Sequence, residues 1–189
     1  MNTPEGYDTS FSYPAYEYIR DHSKTFSDLF ALKFMDDANI GLQDRAEAAK
    51  TMYVSGNYFR GLGVSASQGR TITPDDDRAA SAAVAVISDA FWQRVFHGVP
   101  TAIGRTIVVN GMPVTIIGVT PKGFHSIDSR WRPDLMLPMA LQSTFANARD
   151  LRNAGDWTYM VFGRLQSGVG QDQARAETES LLHRAIEAT

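Results

Sequence analysis

The chain has 189 residues, 43% apolar and 11% aromatic with only 21% charged, which is enough to enclose a hydrophobic core and excludes intrinsic disorder. Eighteen basic residues against 21 acidic ones leave a net charge of -3, so there is no global positive field for nucleic acid or anionic lipid. Cysteine is absent, and with it disulfide frameworks, thiolate metal sites and thiol nucleophiles.

Residues 1–8 carry neither the basic nor the apolar region of a signal peptide and read as a loose leader. Apolar runs such as 82–87 fall far short of the roughly twenty residues that span a bilayer. The first predicted helix covers 13–22, with Ser12 as cap and Pro14 in the first turn. Phe26, Leu29 and Phe30 then repeat at helical spacing, followed by two strands, 32–42 and 46–54, joined near Gln43, Asp44 and Arg45 as a hairpin. Ser55 is expected to cap a short helical turn over 57–62, with Gly63 in a left-handed position at its end.

Thr73 and Pro74 before three aspartates predict another helix start, and 84–87 predicts a buried strand. Ser88 caps a helix over 89–96 that stops at Gly98 and Pro100. Asn110 and Gly111 between the β-branched runs 106–109 and 114–119 predict a tight hairpin. Residues 121–133 form a loop, 134–138 a short strand, 147–156 a polar connector and 157–165 a strand. The last helix buries Ala174, Thr178, Leu181, Leu182 and Ala185, and pairs Arg175 with Glu179 on its wet face. Helices and strands interleaved with hairpins give an α+β fold rather than a doubly wound parallel sheet.

Candidate chemistry is sparse. Gly61, Gly63 and Ala66 spell a dinucleotide pattern, but a helical turn precedes it where a strand is required. Gly168 and Gly170 are a turn, since Asp172 would repel phosphate, and no phosphate-binding P-loop motif exists. His22, His97, His125 and His183 lack metal-ligand spacing, and Asp75, Asp77 and Ser81 lack the glycine and closing glutamate of a calcium loop. No cofactor or metal is expected. A carboxylate pair drawn among Glu47, Asp128 and Asp134 is no more than any acidic chain permits.

The sharpest enzymatic option places His125, Ser126 and Asp128 in one loop as a hydrolase triad, although triad members ordinarily converge from different elements. Trp92 and Trp157 read as core anchors. Phe124 and Trp131, in the loop 121–133, are either folded back or held out as contacts for a partner.

Several stretches in order are familiar: Phe11, Ser12, Tyr13 and Pro14; Val54, Ser55, Gly56, Asn57, Tyr58 and Phe59; Gln68, Gly69 and Arg70. Then follow Val84 to Ser88, Phe91 and Trp92, Ile103 to Ile107, Ile116 to Pro121, Gly123 and Phe124, Asp134 to Pro138, and Gly163 to Leu165. From about residue 11 to 187 the chain resembles the MacB-like periplasmic core domain of FtsX/MacB-type ABC-transporter permeases, most closely a duplicated-permease branch found in acidobacteria.

The resemblance implies an extracytoplasmic domain of a bacterial inner-membrane permease. It implies a discontinuous porter-like lobe, 1–73 with 154–189, and an inserted α+β lobe, 74–153. It further implies a non-catalytic role, in which a separate cytoplasmic ATPase drives motion through the transmembrane part and the domain works as a homodimer or pseudo-dimer. The alternative is a free-standing extracytoplasmic hydrolase built on His125, Ser126 and Asp128.

Overall fold

A computed structural model describes residues 10–35, 37–42, 46–127, 131–145 and 150–188. Its elements in order are β1 (Ser10–Phe11), α1 (Tyr13–His22), β2 (Phe26–Phe34), β3 (Ala38–Gly41), β4 (Ala46–Ala49), β5 (Thr51–Val54), α2 (Tyr58–Leu62) and β6 (Gln68–Gly69). They continue with β7 (Val84–Ile87), α3 (Asp89–Phe96), β8 (Thr106–Val109), β9 (Met112–Val119), β10 (Leu135–Pro138), β11 (Tyr159–Leu165) and α4 (Gln171–Ala188). Short 3-10 turns occupy Pro100–Ala102 and Met139–Thr144. The fold is α+β, as expected.

The chain divides into two compact units, Met1–Ala31 with Asp150–Thr189, and Leu32–Arg149. The first carries strands in the order β1, β11, β2, and the helices α1 and α4. Helix α1 forms where the sequence predicts it: the Ser12 hydroxyl accepts the Ala15 amide at 3.3 Å, and Pro14 falls in the first turn. Its buried face of Tyr13, Ala15, Tyr16 and Ile19 meets α4, whose Ala174, Leu181 and Ala185 are buried at helical spacing. Tyr13 stands 5.5 Å from the ring of Tyr159 on β11.

The second unit holds a mixed sheet in the order β2, β5, β10, β7, β9, β8, β3, β4. β5 and β10 run parallel, as do β7 and β9, and the other pairs are antiparallel. Strand β9 has β7 along one edge; β8 (against 112–115) and β6 (against Gly118 and Val119) share the other. The Asn110–Gly111 turn forms as predicted, with φ of 46° and 89°, the mirror-image conformation that two-residue hairpins need. Strands β5, β7 and β10 are buried at every position, as expected of central strands.

Four local expectations are corrected. Phe26, Leu29 and Phe30 lie in strand β2 and not a helix; Phe26, Phe30, Leu32 and Phe34 also share a period of two, and pairing with β11 and β5 selects it. The two long strands 32–42 and 46–54 each break in two, with a one-residue offset between the β2–β5 and β3–β4 registers. The expected hairpin tip at Gln43, Asp44 and Arg45 lies outside the described residues.

Residues 74–76 form a turn that does not continue as a helix. Asp76 accepts the Thr73 amide and hydroxyl, both at 2.8 Å, while Asp77 accepts the amides of Gly56 at 2.8 Å and Ala140 at 2.7 Å. Ser55 does not cap α2; its hydroxyl donates to the Asn57 side chain at 2.9 Å, although Gly63 is left-handed as expected, with φ of 71°.

Candidate functional site

The end of the second unit's sheet where β7 and β9 finish is also where β5 and β10 begin, since Leu135 pairs with both Thr51 and Ile87. Four connections therefore meet there: Lys50 before β5, Ser88 and Asp89 after β7, residues 121–127 after β9, and Pro133 and Asp134 before β10. Backbone bonds tie them together. The Lys50 carbonyl accepts the Asp134 amide at 2.7 Å, Ser88 N–H donates to the Asp134 carbonyl at 2.8 Å, and Thr120 N–H donates to the Ile87 carbonyl at 2.9 Å.

Between these connections lies a cleft of about 460 Å³, lined by Lys50, Asp89, Arg94, Lys122, Phe124, His125, Arg132 and Asp134 together with Ser88, Ala90, Gly123 and Pro133. A volume of this order suits a small ligand. Helix α3 opens onto it. The Ser88 hydroxyl accepts the Phe91 amide at 3.1 Å, the cap foreseen from sequence, and Asp89 and Ala90 form the first helical positions.

The charges of the cleft are partly compensated. Arg94 donates to Glu47 at 2.8 Å and to Asp134 at 3.1 Å, and the Asp134 carboxylate also accepts the Lys50 amide at 3.1 Å. Hydrogen bonding to Glu47, opposed by burial and aided by Asp134, holds the Arg94 guanidinium above its ordinary pKa. Glu47 and Asp134 thus share one arginine. Lys122, Arg132 and the ammonium of Lys50 have no ion-pair partner among the described residues.

Among the described residues the hydrolase loop shows no relay between His125 and Ser126. Ser126, at φ of 146°, lies 3.5 Å from the Tyr58 hydroxyl, and His125 makes no hydrogen bond among the described residues. Asp128 lies outside the described residues. Burial raises the Tyr58 pKa against the bonds from Ser126 and the Ile127 backbone, so the phenol stays neutral and serves as a structural partner.

Phe124 is half-buried, its ring 6.2 Å from the buried Phe59, and it forms a wall of the cleft. Trp131 is 43% exposed and stacks on Phe34 at 4.1 Å and 17°. Trp92 anchors α3 by donating its indole N–H to the Val99 carbonyl at 2.9 Å. Trp157 departs from its predicted core role: it precedes β11 and is exposed.

Lys50, Lys122 and Arg132 were not singled out by sequence reasoning, because they lie far apart in the chain and only strand order brings them together. The turn at Pro121, Lys122 and Gly123 is the one local signal. Among the described residues no group of histidines and carboxylates could hold a metal ion, and no helix is long and apolar enough to cross a membrane.

The fold has solved counterparts. The periplasmic region of MacB from Actinobacillus actinomycetemcomitans superposes with a TM-score of 0.72 at 17% identity, covering 92% of this chain and 73% of that one. A domain assigned to a permease protein from Porphyromonas gingivalis gives 0.72 at 18%, covering 94% and 78%. The extracellular domain of the noncanonic ABC-type transporter YknZ from Gram-positive bacteria gives 0.66 at 16%, covering 95% and 86%. A comparison with curated proteins finds no match. Residues 1–181 match the MacB-like periplasmic core domain, so the chain belongs to that family, the extracytoplasmic core domains of ABC-transporter permeases.

Proposed function

We propose that this domain is a non-catalytic part of an ABC-type export permease that transmits ATP-driven motion on the far side of the membrane and contacts substrate or partner there. Its partners are the transmembrane part of the same permease and, through it, a cytoplasmic ATPase, and it works as a homodimer or pseudo-dimer. In this reading residues 1–73 with 154–189 act as a porter-like lobe and residues 74–153 as an inserted lobe. Family membership over residues 1–181 carries the proposal.

The architecture of the first unit supports it. A lever needs elements that move as one body. Helix α1 and helix α4 are packed together, and Glu177 of α4 closes the turn that follows α1 by accepting from the Ser23 hydroxyl at 2.7 Å, the Lys24 amide at 3.0 Å and the Thr25 amide at 3.0 Å. Phe124 and Trp131 are the proposed contacts, Trp131 because an exposed indole already seated on Phe34 loses little freedom on meeting a partner.

The test replaces Phe124 and Trp131 by alanine in the permease. Export should fall by about tenfold, as for loss of a buried aromatic anchor, while basal ATP hydrolysis persists. Unchanged export removes these residues from the contact. An ester or peptide turned over by the isolated domain, and lost in Ser126→Ala, would replace the transport reading with the hydrolase one.

A further inference from the structure

We propose that the cleft at the start of α3 is a binding site for a phosphate-bearing ligand with an apolar body. Four cations line it, Lys50, Arg94, Lys122 and Arg132, against the two carboxylates Asp89 and Asp134. With Glu47, which bonds Arg94 from outside the lining, the described residues set four cations against three carboxylates, one positive charge in excess within a chain whose net charge is -3. Concentrating positive charge against the overall sign builds a local field that selects anions.

The spare charge sits on particular side chains. Glu47, from outside the lining, and Asp134 engage Arg94, leaving Lys50, Lys122 and Arg132 without an ion-pair partner among the described residues. They stand on three separate connections, after β4, after β9 and before β10, so they approach the cleft from different directions. Asp89 in the first turn of α3 disfavours a ligand buried against the helix end and leaves the lysine and arginine side chains as the headgroup site. Three cations without an ion-pair partner among the described residues can meet the several oxygens of a phosphomonoester better than a single carboxylate. Phe124, Ala90 and Pro133 supply an apolar wall for the rest of the molecule.

The test uses the 189-residue chain. Phenyl phosphate, inorganic phosphate and benzyl alcohol are titrated by calorimetry and by amide chemical shifts. Phenyl phosphate should bind saturably and more weakly as salt rises, inorganic phosphate more weakly still, and benzyl alcohol not at all. Lys122→Glu and Arg132→Glu, both at exposed positions, should each lower the affinity about tenfold or more with the melting temperature unchanged, as for loss of a charge-assisted contact. Arg175→Glu on α4 should leave it intact. Phosphatidylcholine vesicles with and without phosphatidic acid separate two sources of the ligand. Capture by phosphatidic acid, lost in the same two variants, assigns a lipid headgroup; phenyl phosphate binding without vesicle capture assigns a free phosphomonoester. No binding of either soluble phosphate, or equal affinity in the charge-reversed variants, overturns the proposal.

Discussion

Glu177 shows what one carboxylate does in this molecule. Some burial opposes its charge, but hydrogen bonds from the Thr25 and Ser23 hydroxyls and the Lys24 and Thr25 amides hold its pKa down, to about 2 from an ordinary 4.5. A group whose folded pKa is depressed stabilises the fold above its unfolded pKa and loses that contribution as pH falls through the folded one. Glu177→Gln should therefore lower the melting temperature at neutral pH by about 2–4 °C, what roughly 1 kcal/mol does in a chain of this size, the figure kept small because the carboxylate is largely solvent-screened. The gap between variant and parent should narrow below pH 4.5 and close near pH 2. A gap independent of pH would show that the carboxylate charge is not what closes the turn. Asp76 follows the same sign, its pKa lowered chiefly by the hydrogen bond from Arg70, so acid weakens both turns together.

At the scale of elements, close backbone approach decides where glycine is needed. Gly118 on β9 faces the Arg70 carbonyl, and an added Cβ would overlap it; Gly69, at φ of 66°, meets Ile117 in the same way from the other strand. Gly118→Ala should cost about 1–3 kcal/mol as an overpacking change. Gly170→Ala, where a Cβ meets nothing within 4 Å, should change stability by less than about 0.5 kcal/mol. Equal melting temperatures for the two variants would contradict the β6–β9 pairing.

Elements with local punctuation were legible in sequence. Ser12 and Pro14 start α1, Ser88 starts α3, and Asn110 with Gly111 makes the hairpin, each through groups within a few residues. Strand β2 was not, because the same apolar residues fit a helical and an extended period and only its neighbours decide. Asp77 misled because its bonding partners, the amides of Gly56 and Ala140, are distant in sequence.

For the whole molecule, the family was legible as an ordered set of short motifs and the candidate cleft was not. Parallel pairing of β5 with β10 and of β7 with β9 brings Lys50, Lys122 and Arg132 to one end of a sheet, and no local pattern announces such long-range register. Of the side chains weighed for chemistry, the structure places Ser126 at Tyr58 and both Glu47 and Asp134 on Arg94. The proposed lever role calls for packing and interfaces in place of an acid, base or nucleophile.

The central claim, that the domain moves in response to ATP, is tested most directly in the assembled permease. The domain contains no cysteine, so single cysteines at the exposed positions Val108 and Ile127, in a permease whose other cysteines are replaced, serve as cross-linking probes between two copies. The account predicts that the cross-linking yield at one or both positions changes when ATP is added and returns once it is hydrolysed. Yields that stay the same with and without ATP at both positions, in a permease that is exporting, would contradict it.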